Sequence, residues 1–307
     1  NTGKKGDAMS VTIGYIGFGE AAYHMGKGLK SEGVEDIRAF DVALGMGGAY
    51  KDTVIARCAD AGVAVAASAE EIVKNCDIVV ICVPARFTAS TAEGLLPFAK
   101  EGQLFVDVTT ALPHVKEKEA ALFAEKKAQY VDSAMLGSLV VSAHKVPMLA
   151  SGDGAERWKE AMTPYGMKIA LVGAGSKAGE ASRIKLVRSV FMKGFEALVV
   201  ETFLFARKCG VEERIMDSVA GTMDKESFKD IARRMAGADL IHSERRSFEV
   251  GESMELMKEV GVEPLVAAGV KERLARSAAL GMNKELNGVA PQTMEAIYSI
   301  WEKKDYK

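Results

Sequence analysis

Thr12-Ile13-Gly14-Tyr15-Ile16-Gly17-Phe18-Gly19-Glu20-Ala21-Ala22 decides the fold of this chain. Its first half is a short β-rich run, and its second half is a GxGxxA fingerprint opening a helical pattern that reaches about Ser31. At such a strand-to-helix turn Gly17 permits the tight bend and Gly19 lets the backbone approach a pyrophosphate, while Ala22 allows close helix–strand packing. The helix N-terminus faces the anion with N–H groups that have no partner inside the helix. Asp41 ends the second strand pattern, 36–40. A carboxylate there accepts hydrogen bonds from an adenine-ribose diol and repels a 2′-phosphate, which points to NAD; Arg38 and Arg57 keep NADP open as the alternative. The expected cofactor contacts are Gly17, Phe18, Gly19, Glu20, Ala21, Ala22 and Asp41.

Outward from this turn, strand signals recur at 11–16, 36–40, 63–66, 77–83, 104–108, 129–131, 147–149 and 168–172, with helical segments between several of them. That alternation implies right-handed βαβ units and a doubly wound sheet. After Gly173-Ala174-Gly175 the texture turns helical: 177–209 as a long central helix, then 212–223, 227–236, 248–260 and 264–280. The expected fold is α/β, a Rossmann domain over 9–172 followed by an all-α domain over 173–307, hinged near residue 173. Residues 1–8 read as an expression-tag remnant.

Composition agrees with a soluble globular enzyme: 48% hydrophobic and 27% charged residues over 307 positions. Forty Lys and Arg against 42 Asp and Glu give a net charge of −2, without the basic excess of a nucleic-acid binder. No apolar run reaches the ~18 residues of a spanning helix. Cys58, Cys76, Cys82 and Cys209 lie far apart with no metal-ligand spacing, so free thiols, no metal and a cytoplasmic location are expected.

These residues resemble the β-hydroxyacid dehydrogenase and 6-phosphogluconate dehydrogenase superfamily, which includes 3-hydroxyisobutyrate dehydrogenase; the C-terminal half is most similar to a poorly characterised phosphogluconate dehydrogenase-like branch. The family's D-x-S-T-x-x-P motif falls on Asp107-Val108-Thr109-Thr110-Ala111-Leu112-Pro113, with Thr109 in place of serine. The resemblance puts Thr109 and Thr110 beside the substrate, and Thr110, with Val83 and Pro84, beside the cofactor. The substrate-carboxylate loop D-A-P-V-S-G-G falls on residues 132–138, where only Asp132 and Gly137 match; Leu136 and Ser138 replace a serine and a glycine. Gly137 and Ser138 are nevertheless the expected substrate contacts.

Hydride chemistry needs a group that manages the hydroxyl proton. The resemblance assigns this to Lys185, in the register of the family's K-x-x-N-N pattern, and Glu201 matches a family glutamate further along the helix. Arg188 and Ser189 replace the two asparagines and share a helical face with Lys185. Arg188 is either a carboxylate or phosphate ligand or a structural ion pair. The cluster 242–249 reads as lying between helices; His242 and Arg245 there either bind an anionic substrate or belong to a solvated face. His24, His114 and His144 read as surface or packing residues. The apolar residues around most of the long helix, together with the resemblance, imply a homodimer. The implied activity is NAD(P)-dependent oxidation or reduction of a β-hydroxy acid or related small anion. The alternatives are imine reductase-type activity, a decarboxylating dehydrogenase, and a catalytically lapsed dinucleotide sensor.

Overall fold

The computed structural model describes residues 11–304; the proposed tag remnant, 1–8, lies outside them. The chain separates into two compact units, one ending at Ser189 and the other beginning at Val190.

The first unit is built on eight strands: β1 (Thr12–Ile16), β2 (Asp36–Phe40), β3 (Ala64–Val65), β4 (Ile78–Ile81), β5 (Leu104–Asp107), β6 (Gln129–Met135), β7 (Pro147–Ser151) and β8 (Lys168–Leu171). They form one sheet in the order β3-β2-β1-β4-β5-β6-β7-β8. Helices α1 (Glu20–Ser31), α2 (Ala43–Met46), α3 (Gly48–Ala61), α4 (Ala69–Asn75), α5 (Thr88–Leu95), α6 (Pro113–Glu125), α7 (Leu139–Ser142) and α8 (Ala155–Met162) connect them. Side chains alternate between the two sheet faces, and both faces are buried. Ile78, Val80, Leu104 and Val106 enter one core with Phe18, Met25 and Trp158. Val79, Ile81 and Phe105 enter the other with Ile72 and Phe123. Phe105, Phe123 and Tyr130 stack in succession, their centroids 4.1 and 5.8 Å apart.

One pairing departs from the expected series of parallel units. β6 and β7 are antiparallel, Asp132 opposite Ser151 and Met135 opposite Met148. A parallel crossover takes about a dozen residues or more, usually with a helix that packs back on the sheet. Residues 136–146 hold only single helical turns, so the chain reverses instead.

The long helix α9 (Glu180–Cys209) crosses the boundary between the units. The first unit therefore ends sixteen residues beyond the glycine hinge at 173, and hydrogen bonds explain why. The Ala181 amide donates to Ser151 Oγ at 3.1 Å, and Gly179 and Ser182 donate to Asp132 at 3.1 and 2.8 Å, all buried. These bonds tie the opening of α9 to the sheet.

The second unit adds α10 (Glu212–Met223), α11 (Phe228–Glu259), α12 (Leu265–Ala279), α13 (Met282–Glu285) and α14 (Met294–Lys303). Leu240, Ile241, Met282 and Ile297 form its buried core. The expected break at 237–247 is absent: α11 runs through it. Gly237 and Gly251 each weaken an isolated helix by about 1 kcal/mol. Here each is a close-approach point, where an added Cβ would lie 3.1 Å from the Pro291 carbonyl oxygen and 3.0 Å from Lys271 Nζ. Packing overrides propensity at both positions.

Candidate functional site

The turn between β1 and α1 has the shape a pyrophosphate requires. Gly17 sits at φ +87°, and a Cβ there would lie 2.5 Å from the Cys82 carbonyl oxygen, so only glycine fits without moving backbone. A Cβ on Gly19 would meet nothing within 4 Å. That leaves open space against the backbone where α1 begins. Phe18 and Ala22 are buried, while Glu20 is exposed and Ala21 half-buried. This cradle fits a dinucleotide phosphate at a helix N-terminus.

Asp41 stands at the end of β2, but its carboxylate already has partners. Oδ2 accepts from the Phe18 amide at 2.8 Å, and Oδ1 from the Ala43 amide at 2.9 Å. It therefore braces the glycine turn and keeps further lone pairs unused by these two bonds. Arg38 is paired with Asp36, 2.8 Å away.

Cys82 is the residue near this site that sequence spacing does not reveal. It follows β4 immediately before Val83 and Pro84. Burial pushes its thiol up to about 12; Asp107 and Asp41 act in the same direction, while the Ala22 backbone hydrogen bond and the Lys185 charge oppose them. Lys185 itself is half-buried on the second turn of α9, as is Ser189, while Arg188 is exposed.

The threonines after β5 divide. Thr110 is exposed, but Thr109 is buried and turned inward, contrary to its expected substrate contact. Its amide donates to Asp107 Oδ1 at 2.7 Å, and its hydroxyl accepts from Lys116 Nζ at 3.1 Å. Lys116 is fully buried, 2.7 Å from Asp107 Oδ2 and 3.9 Å from Asp132 Oδ1. Burial works against the Asp107 charge, but the ammonium and the hydrogen bonds from its neighbours hold the carboxyl below the usual range. Thr88 Oγ1 and Tyr130 OH also donate to Asp107, at 2.7 and 3.2 Å. The single Tyr130 hydroxyl proton is shared with Glu119 Oε2, which lies closer, at 2.5 Å. A signal for this network was present in the sequence, because Lys116, Glu119 and Phe123 share one helical stripe, and charges on an otherwise buried stripe need partners.

Gly137 and Ser138 are exposed beyond the end of β6, and Leu136 donates its amide to the Pro147 carbonyl at 2.8 Å. In the second unit His242 and Arg245 are exposed within α11 rather than between helices, and Arg245 pairs with Glu249 one turn on. Glu201 caps the start of α12: its two carboxylate oxygens accept from the Val266 and Ala267 amides, at 2.7 and 2.8 Å. His144 is buried beside Gly28, as a packing residue, and burial lowers its pKa. No group of three or more His, Cys, Asp or Glu among the described residues could hold a metal ion.

Residues 12–173 match the family described as the NAD binding domain of 6-phosphogluconate dehydrogenase, and 206–277 match a domain of unknown function, DUF1932. The 2-(hydroxymethyl)glutarate dehydrogenase of Eubacterium barkeri is 24% identical over 95% of this chain and 95% of its own. A conserved hypothetical protein from Sinorhizobium meliloti 1021, of known structure, is 30% identical over 89% of this chain and 90% of that one, with a TM-score of 0.59. An imine reductase from Aspergillus terreus shares the fold at 15% identity, covering 92% of this chain and 97% of that one, with a TM-score of 0.70. With the first match spanning more than half its length, the chain belongs to the family of the NAD binding domain of 6-phosphogluconate dehydrogenase, among the NAD(P)-binding, 3-hydroxyacid dehydrogenase-like oxidoreductases.

Proposed function

We propose that this chain is a dehydrogenase or reductase acting on the alcohol or carbonyl carbon of a β-hydroxy acid or related small anion, with Lys185 as its acid–base residue. The observation that carries the reading is the glycine cradle at 17–22, together with the buried hydrogen bonds to Asp132 and Ser151 that fix the opening of α9, the helix of Lys185, to the same sheet. The cradle and Lys185 belong to one compact unit. The turn from Gly17 to Ala22 would hold the pyrophosphate, Asp41 the adenine ribose, and Val83, Pro84 and Thr110 the far end of the cofactor. When bound, the nicotinamide supplies or takes up the hydride.

Lys185 Nζ holds the proton of the substrate hydroxyl. In the reductive direction its ammonium gives that proton to the oxygen as negative charge develops there; in oxidation the free amine removes it. Arg188 offers a planar guanidinium for a carboxylate or phosphate, and Thr110, Gly137, Ser138 and Ser189 offer hydroxyl and amide donors around it. Leu136 replaces a polar family residue, which favours a substrate with an apolar flank. We read the assembly as a homodimer formed through the helical unit, because Val187, Val190, Val200 and Leu204 of α9 are 70, 76, 55 and 58% exposed in the single chain. His242 and Arg245 would then serve an anionic substrate from that unit. Four free cysteines fit a reducing, cytoplasmic setting.

An imine reductase-type activity is the second reading, favoured by the shared fold and opposed by the lysine at 185. A panel of β-hydroxy acids and cyclic imines, assayed with NAD(H) and NADP(H) at the reduced-nicotinamide band, separates the two. The expected result is turnover of a hydroxy acid that Lys185→Ala lowers about 10²-fold or more with cofactor affinity unchanged. Turnover of imines alone, or a Lys185→Ala variant near full rate, would overturn the assignment. Cofactor binding without any turnover would mark a sensor.

A further inference from the structure

We propose that Lys116 is a positioning residue: its buried ammonium, set between Asp107 and Asp132, holds in place both the turn that carries Thr110 and the turn of α9 that carries Lys185. The proposal rests on the reading of Lys185 as the proton carrier.

Asp107 and Asp132 are direct register partners on the adjacent parallel strands β5 and β6, and both are fully buried. Two carboxylates so placed repel each other, and the interior offers no water to screen them. Lys116 reaches them from the first turns of α6, with Nζ 2.7 Å from Asp107 Oδ2 and 3.9 Å from Asp132 Oδ1. Glu119, one turn along α6, adds no further charge at neutral pH, since burial and then the Asp107 charge push its carboxyl up to about 8.

Each aspartate held by Lys116 holds one half of the proposed site. Asp107 Oδ1 accepts from the Thr109 amide, and Lys116 itself donates to Thr109 Oγ1, which pins the residue before Thr110. Asp132 Oδ2 accepts from the Gly179 and Ser182 amides at 3.1 and 2.8 Å, and its Oδ1 accepts from Ser182 Oγ at 2.7 Å. Lys185 follows Ser182 by three residues and so lies on the same helical face, one turn on. The path runs from Lys116 to Asp132, by hydrogen bonds from Asp132 to the buried Ser182, and along α9 from Ser182 to the Lys185 turn. Without the ammonium the two aspartates face each other, and one must protonate or turn away. A protonated or displaced Asp132 no longer accepts three hydrogen bonds from the opening of α9.

Lys116→Met keeps the length of the side chain and removes its charge. A second variant, Lys116→Met with Asp107→Asn, removes the charge from one facing carboxylate as well and keeps the test open if the single variant does not fold. Amide hydrogen exchange in the folded variants should be about tenfold faster at Gly179 and Ser182, with β1 and β4 amides protected as before. Acetylation of Lys185 by acetic anhydride should change in rate with them. On the hydroxy acid that the wild-type chain turns over best, kcat should fall roughly 10²-fold while the cofactor dissociation constant holds. Native protection at Gly179 and Ser182 would overturn the proposal. So would faster exchange spread evenly over the whole sheet, the mark of a general structural role. If the wild-type chain turns over no substrate, the reading of Lys185 has failed, and exchange and acetylation still decide whether Lys116 positions its turn.

Discussion

Charge clusters centred on lysine or arginine occur in both units, in opposite surroundings. In the first unit Lys116, Asp107 and Asp132 are without exposed surface, and one ammonium with the surrounding hydrogen-bond donors answers two carboxylates inside the protein. In the second, Arg245 pairs with Glu249 at 63 and 53% side-chain exposure, and Arg276 pairs with Glu272 at 62 and 64%. Water screens the helical pairs and competes for them, so they contribute little. The sheet cluster is set between β5, β6 and α6, where losing one partner strands the others. A cation beside a carboxylate is a solvated helix surface in one place and an organising centre in the other.

Removing Lys116 is the strongest way to break this comparison. Lys116→Met should destabilise the first unit by about 3–5 kcal/mol, because it leaves carboxylates buried without their cation. Urea denaturation measures this, and a loss under about 1 kcal/mol would mean that the cluster is far better hydrated than its burial implies.

Glu119 sharpens the comparison through pH. Its carboxyl rises from 4.5 to about 8 in the fold, first through burial and then through the Asp107 charge. Between those values the folded chain holds a proton that the unfolded chain has released. Stability from this group is therefore full below about 4.5 and declines as pH rises toward about 8. Glu119→Gln keeps a neutral side chain of the same shape and should flatten that decline, by on the order of a few kcal/mol at most. Thermal melts across this range test it, and parallel curves for variant and wild type would refute it.

The smallest effect is expected in the second unit. Arg245→Ala should change stability by no more than about 1 kcal/mol, and less at high salt. A larger loss in denaturant titrations would show that α11 depends on the pair. A loss of substrate affinity without loss of stability would instead support the anionic-substrate role of this residue.

The eight strands and the glycine turn were legible because they rest on local rules. Alternation along a strand and the glycine demanded at φ +87° are written residue by residue. Helix α11 was not legible as one piece, since Gly237 opens a stretch that looks like a break until Pro291 is seen packed against it. The candidate site divides in the same way. Gly17, Gly19 and Asp41 stand as candidates on the fingerprint, and Lys185 as a candidate on its family register. Sequence spacing did not indicate that Thr109 turns inward.

What the sequence determined by itself was the α/β class, the dinucleotide turn and the change to helix after residue 173. Each is a pattern of period, breaker or fingerprint that a short window contains. Only the tertiary structure decided the antiparallel return of β7, the capping of α12 by Glu201, and the placing of Lys116 between two aspartates from different strands. Those features join residues far apart in the chain. Their energies come from desolvation and from charges brought within hydrogen-bond range, and neither quantity exists until the sheet has closed around them.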